Sequence, residues 1–346
     1  MNQMELKKVQ ESQGAEFYDL NVLSFERDGE ALEAIDNGVA ICDRSHWGLL
    51  KITGEDRLRY LHNQSTNDFE KRSPGESCDT VFVTSTARTL DLATAYITEE
   101  SVILLVSPNR RQQLLTWLDR FIFPFDKVEL SDLSASMAVF SLMGEKSSAL
   151  LLELASESIP ANLQQHQLVD LAGVRVRVAV GSGLATPGYT LILDNDGAAK
   201  VWSKLTELGA VPFGDRLWQN LRIQQGRPAP DLELTEDYNP LEAGLWQTIS
   251  FDKGCYIGQE TIARLNTYNG VKQKLWGIEL DRSVVSPASI TLDGTKVGLL
   301  TSCTDTASGC FGLGYVRTKY GKEGLKIMAG EAVGELRSVP FLQHRQ

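Results

Sequence analysis

From Leu275 to its end the chain runs as short β segments separated by Gly, Asp and Ser turns, with no apolar stripe at helical spacing. Such a stretch can bury its apolar side chains only by closing into a small barrel or sandwich. Ahead of it the pattern alternates between helix and strand signals, so the chain reads as an α+β protein that ends in a β module. Its 346 residues allow two or three domains at roughly 150 residues each. No internal repeat or low-complexity linker is visible, which points to closely packed domains that are discontinuous in sequence.

Thr53 to Asp56 reads as a capping box ahead of a helix that puts Leu58 and Leu61 on one face. Val81 to Ile97 and Ser101 to Val106 read as two strands joined near Glu99 and Glu100. Ser107 and Pro108 look like N-cap and first helical residue of a segment that aligns Leu114, Leu118 and Phe121 and stops before Pro124. Gly173 to Val180 alternates with period two, setting valines against Arg175 and Arg177, and Tyr189 to Leu193 is a further strand. A helix after Asn195 carries Val201, Leu205 and Leu208 to Gly209; another, Asp215 to Gln225, stacks Leu217, Leu221 and Gln224 and ends at Gly226.

The charge narrows the function classes. With 34 Lys+Arg against 45 Asp+Glu, the net charge of -11 repels phosphate backbones and anionic lipid surfaces, so neither nucleic acid nor membrane is expected as a partner. No apolar run approaches the length of a bilayer span, and the first residues lack the h-region of a signal peptide and the Arg/Ser-rich pattern of a transit peptide. The expected setting is a bacterial cytoplasm, with an organellar matrix or stroma as the alternative for a mature chain. Five scattered cysteines without a C-x-x-C pair, and four histidines without ligand spacing, fit neither a disulfide framework nor a self-contained metal site. Gly181-Ser-Gly183 follows a strand, but Thr186 stands where a dinucleotide fingerprint needs its third glycine.

Two segments can carry chemistry. In Phe251 to Glu260, Gly254 and Gly258 bracket Cys255, and Gln259 and Glu260 open a helix. A thiol just ahead of a helix N-terminus and two residues from Lys253 sits where both favour the thiolate; the alternative is a small buried residue filling a turn. Between Lys253 and Lys274, Lys253, Arg264, Lys272 and Lys274 face the single acid Glu260, a local basic excess suited to an anionic small ligand or to a solvated face. In Ala87 to Tyr96, strand alternation sets Asp91 beside Ala93 and Ala95, leaving room for a ligand amine that the carboxylate would bind.

Together these residues resemble the aminomethyltransferase superfamily, that of the T-protein (GcvT) of the glycine cleavage system, and within it the YgfZ-like, folate-binding branch tied to iron–sulfur proteins. Cys42 to Gly48 (CDRSHWG), Ile52-Thr-Gly54 and Ser65 to Asp68 (STND) are similar to the superfamily's opening pattern. Leu221-Arg222-Ile223 with Gly226, then Asn239 to Gly244 (NPLEAG), resemble the middle pattern, and Lys253 to Glu260 (KGCYIGQE) resembles the branch signature. The true transferases have Asp where Cys255 stands and Arg where Gln259 stands.

The resemblance implies an α+β, three-domain cloverleaf around a central folate channel: a discontinuous folate-binding domain of residues 1–48 and 133–270, an inserted ferredoxin-like domain of 49–132 and a C-terminal β barrel of 271–346. It implies tetrahydrofolate as cofactor, with Asp91 facing the folate amine, Arg222 contacting folate, and Lys253, Tyr256 and Gln259 completing the binding set. It implies a function in assembling or repairing iron–sulfur proteins, mainly those with [4Fe-4S] clusters, with A-type carriers and client enzymes as partners. Cys255 and Asp91 would be the reacting groups. Cys255 would be a ligand to a transient cluster shared with a partner, since one thiolate cannot supply a cluster's usual four ligands. The alternative is a folate-dependent aminomethyltransferase or demethylase of one-carbon chemistry. Against it stand Leu92 where the transferases carry a second acid, Ala185-Thr-Pro187 where they carry a glutamate, and Asp79 and Thr80 near the place of a folate-contacting aromatic.

Overall fold

The computed structural model describes residues 3–306 and 309–344, which fall into two compact units. The first comprises the chain up to Arg57, Arg72–Cys78 and Thr94–Gln219; the second comprises Leu58–Lys71, Asp79–Ala93 and the chain from Asn220 onward. The architecture is mixed α+β with a C-terminal closed barrel. No helix among the described residues is long and apolar enough to cross a membrane.

The first unit is built on a six-stranded sheet in the order His166–Leu171, Val174–Val180, Gly188–Asp194, Met137–Met143, Ala40–Asp43, Val211–Phe213, antiparallel except for its last pair. The period-two reading of the valine strand holds: Val176 and Val178 enter the core, while Arg175 reaches Glu157 at 3.2 Å on the surface. Helix Asn195–Glu207 sets Ala198, Val201, Trp202 and Leu205 at i, i+3, i+4 and i+7, so one continuous apolar stripe covers the sheet. Trp202 meets Phe140 edge-on at 5.2 Å. Each such large side chain contributes roughly 1.5–3 kcal/mol of burial, which outweighs the weak helix propensity of Asn195, Asp196 and Gly197 at the N-terminus.

A five-stranded sheet has the order Ser77–Val83, Thr89–Ile97, Ser101–Val106, Gly48–Thr53, Glu129–Asp132. The single strand expected over Val81 to Ile97 is thus two strands. Ala87 turns left-handed at φ 61°, and the Thr84 hydroxyl accepts the amide of Arg88, so a side chain closes a turn within a β-rich run. The helix expected from Ser107 begins instead at Arg111, after a turn in which the amide of Arg110 donates to Ser107. Leu114 and Leu118 are buried as expected, but Phe121 lies beyond the helix end.

In the second unit the strands Gln273–Leu280, Gly309–Arg317, Thr295–Thr306, Ala288–Leu292, Lys326–Ala329 and Ala332–Arg337 close into a barrel in that order. The last pairs back onto the first, and Ile278, Ile290, Leu300, Val316 and Leu336 fill the interior. A second cluster joins Val81, Val83 and Leu92 to Ile223 of helix Asp215–Gln225 and to Leu275, Leu313 and Tyr315 of the barrel strands.

One buried titratable group in the first unit has a measurable consequence. His166 is buried, with Nη1 of Arg177 2.9 Å from its Nδ1; burial first, then that guanidinium, lowers its pKa from 6.5 to about 4. The folded state therefore binds fewer protons than the unfolded chain between these values. The stabilisation is present in full above about pH 6.5 and is lost as pH falls towards 4, by on the order of 3 kcal/mol. Urea denaturation of the protein and of His166→Gln across this window should show the acid loss shrinking in the variant.

Candidate functional site

Helix Arg57–Gln64 ends in the turn Ser65 to Asp68, where short polar side chains replace secondary structure as hydrogen-bond partners. The Thr66 hydroxyl donates to the carbonyl of Thr248 at 2.8 Å and accepts the amide of Val81 at 2.9 Å. Asn67 donates to the carbonyl of Asp79, and the amide of Ser250 donates back to Thr66. A four-residue turn thereby pins the strand Ser77–Val83 on one side and the segment after Leu245 on the other.

Lys253 completes that junction. Its ammonium is buried and donates to the carbonyls of His62, Ser65 at 2.8 Å and Asn67 at 2.7 Å, which accounts for all three of its protons. The sequence reading gave this charge to the Cys255 thiolate; its geometry instead commits it to the main chain. It lies 4.5 Å from the ring centre of Tyr256, a buried phenol whose pKa burial raises to about 12. Tyr256 packs with Ala87, Leu241, Ile249 and Ile262.

Cys255 lies between these anchors with its side chain exposed; Cys42, Cys78 and Cys310 are buried and Cys303 is half-buried. The expected helix follows as Gln259–Thr267, with the amide of Gln259 donating to the carbonyl of Tyr256. It starts four residues after the thiol. Gly258 precedes it at φ 82°, and a Cβ there would sit 2.9 Å from the carbonyl oxygen of Thr84, so this position demands glycine. Arg264 and Lys272 are exposed while Lys253 is buried, so the basic run does not form one face.

Asp91 is fully buried in the strand Thr89–Ile97, where its Oδ1 accepts the amide of Leu92 at 2.9 Å, and Ala93 and Ala95 are likewise buried. Arg222 belongs to another network. Its Nη1 donates to Glu233 at 3.1 Å and its Nη2 to Ser302 at 3.3 Å. Glu233, wholly buried, also accepts the amide of Ala229 and the hydroxyls of Thr301 and Ser302. The geometry therefore brings Lys253, Cys255, Tyr256 and Gln259 together by chain and contact, while Arg222 anchors the 229–234 loop to a barrel strand.

Two groups escaped the sequence reading. His62 was set aside for want of ligand spacing, yet its Nδ1 stands 3.1 Å from Oδ1 of Asp68, the acid of STND. Burial first, then the Lys253 ammonium, lowers the His62 pKa. Burial pushes Asp68 up, but hydrogen bonds from the Lys71 ammonium and amide outweigh it and hold the carboxyl below the ordinary range. Glu233 is the other, and only its distance to Arg222 in three dimensions reveals it. Among the described residues no group of three or more His, Cys, Asp or Glu is arranged to hold a metal ion. A cleft of about 600 Å³ lies elsewhere, lined by Lys274, Trp276, Arg337 and His344 among others; of the basic run it takes in Lys274, and it contains none of Asp91, Arg222, Lys253, Cys255, Tyr256 and Gln259.

Residues 6–253 match the family described as the GCVT N-terminal domain. A chloroplastic protein of Arabidopsis thaliana, named as a transferase, is 45% identical over 325 residues that make up 93% of this chain and 75% of its own. The aminomethyltransferase of Caldanaerobacter subterraneus subsp. tengcongensis is 27% identical over 306 residues, 85% of this chain and 81% of its own. Among solved structures, the glycine cleavage system aminomethyltransferase T of Bartonella henselae superposes with a TM-score of 0.84 over 99% of this chain and 98% of its own, at 18% identity.

Both buried cations are testable as anchors. Lys253→Met would leave three main-chain carbonyls without a donor, and Arg222→Met would leave the Glu233 carboxylate buried without its cation. Each should lower the unfolding free energy by roughly 3–5 kcal/mol in urea denaturation. Gly258→Ala should cost about 1–3 kcal/mol through backbone strain.

Proposed function

This chain belongs to the GCVT N-terminal domain family, and from that premise we propose that it binds tetrahydrofolate and serves, as a YgfZ-like accessory factor, the assembly or repair of iron–sulfur proteins, chiefly [4Fe-4S] enzymes. The observation that carries the reading is Cys255: an exposed thiol in KGCYIGQE, carried on a turn whose neighbours Lys253 and Tyr256 are buried. A residue kept only to fill space would be turned inward, as Cys42 and Cys78 are.

The donor chemistry suits a reduced folate. Asp91 is a buried carboxylate beside small side chains, the complement of the N–H groups of an aminopyrimidine. Asp91 would bind and orient the pterin, and Gln259 would supply a polar amide near the thiol. Arg222, Lys253 and Tyr256 would shape the walls while keeping their present partners. Bound tetrahydrofolate supplies ring nitrogens that carry one-carbon units. The cluster is cargo in this reading: Cys255 contributes one thiolate, and A-type carriers and client enzymes contribute the remaining ligands. The three-domain division at 1–48 with 133–270, 49–132 and 271–346 is part of the same reading. The chloroplastic relative supports the organellar setting over the bacterial cytoplasm.

A second reading, folate-dependent aminomethyl transfer, is favoured by the aminomethyltransferase relatives that match across most of the chain. Folate titration with mass-spectrometric product analysis separates the two, because a transferase changes the folate and an assembly factor returns it. Asp91→Asn should weaken folate binding tenfold to a hundredfold, about 1.5–3 kcal/mol for a lost charge-assisted contact. Cys255→Ser should fold and bind folate as the parent does, yet fail to sustain an iron–sulfur client in cells lacking the protein. Full client activity with that variant would remove the thiol from the mechanism.

A further inference from the structure

The turn that carries the exposed thiol lies against a buried base that the proposed function leaves unused. His62 is only 5% exposed, and its ring is fixed by the contact of Nδ1 with Asp68 at 3.1 Å. Among the described residues its Nε2 has no hydrogen-bond partner. That nitrogen is directed at the cysteine turn, 3.6 Å from where a Cβ on Gly254 would stand. Cys255 is the next residue, one Cα step of about 3.8 Å from Gly254, and one bridging water would carry a proton from its sulfur to Nε2.

We propose that His62, oriented by Asp68, is the proton acceptor that makes Cys255 a reactive thiolate. The proposal rests on Cys255 being the working thiol of the function above, but not on what that thiol serves. With Nδ1–H donated to Asp68, the lone pair of the neutral ring is on Nε2. The Cys255 S–H proton passes to Nε2, leaving a thiolate on sulfur and an imidazolium on His62; an electrophile then forms its bond to sulfur and releases its leaving group.

The surrounding charges serve both halves of that exchange. The groups facing His62 are Asp68, Glu70 at 3.8 Å from Nδ1, and the Lys253 ammonium bonded to the His62 carbonyl. Burial and Lys253 favour the neutral ring, while Asp68 and Glu70 favour the imidazolium that forms on proton transfer. Asp68 acts through His62 and is a positioning residue. A plain exposed cysteine would need none of this, and a histidine kept only for packing would not need an acid behind one nitrogen and a thiol turn before the other.

The test is the rate of iodoacetamide alkylation at Cys255, read by mass spectrometry of its peptide in the folded protein across a pH series. Near pH 7, His62→Gln should alkylate at least about tenfold more slowly, with the gap closing in strongly alkaline solution, where hydroxide replaces the histidine as the base. Asp68→Asn should give an intermediate rate and move the acid limb of the profile. A folded His62→Gln that reacts at the parent's rate at every pH would overturn the proposal. Should the substitution unfold the chain, the His62 ring resonances can be titrated by NMR in the parent and in Cys255→Ser. A moved His62 titration supports the pair and an unmoved one rejects it. Neither readout involves folate or a client, so full client activity in Cys255→Ser alongside an intact His62 coupling would count against the assembly reading alone.

Discussion

A single buried ammonium holds the candidate site of the second unit together. Lys253 satisfies three carbonyls at the end of one helix and in the turn that follows it. Taking that charge out of water costs several kcal/mol, and only a full set of acceptors offsets the loss. The turn must therefore present its carbonyls inward, so the side chains of Thr66 and Asn67 bind the strand and the segment beyond it. Tyr256, under the same ammonium, is held in the core, and Cys255 beside it is left to solvent.

The Arg222 and Glu233 pair performs the same task at the barrel. Four donors converge on one carboxylate, tying a helix, a loop and a barrel strand to a common point. Such pairs give specificity of arrangement more than net stability. In the first unit the buried Arg44 guanidinium lies 4.6 Å from the ring centre of Trp47 and 4.5 Å from that of Trp218, two rings that meet edge-on. Across both units, a buried cation marks where separate stretches of chain meet.

Much of the fold was legible because it repeats. The stripe of Ala198, Val201, Trp202 and Leu205, the alternating valines and the helix Asp215–Gln225 follow from periods of 3.6 and 2 that neighbouring residues carry between them. The barrel was legible for the same reason, through short β segments between turn residues. The break at Ala87 was not, because a Thr84 side chain bonding to the backbone of Arg88 produces no pattern in a run rich in Val, Thr and Leu. Nor was the true start of the helix at Arg111, since Ser107 and Pro108 satisfy a helix-start rule that the local turn overrides.

For the site, the sequence by itself determined which residue types stand together: a cysteine between glycines, a lysine two positions before it, an acid among alanines, an arginine between Leu221 and Ile223 near the end of a helix. It did not determine whom they serve. Lys253 binds carbonyls 186 to 191 residues away, and Arg222 binds an acid across a turn that no periodicity announces. His62 meets the cysteine turn where that ammonium and the amide of Ile257, which donates to Asn63, join the two segments. Hydrogen bonds and charges choose partners by distance in space, and the cost of burying a polar group unpaired is assessed only once the chain has folded. Local periods set the elements; the pairing of buried charges, decided by tertiary structure, set the site.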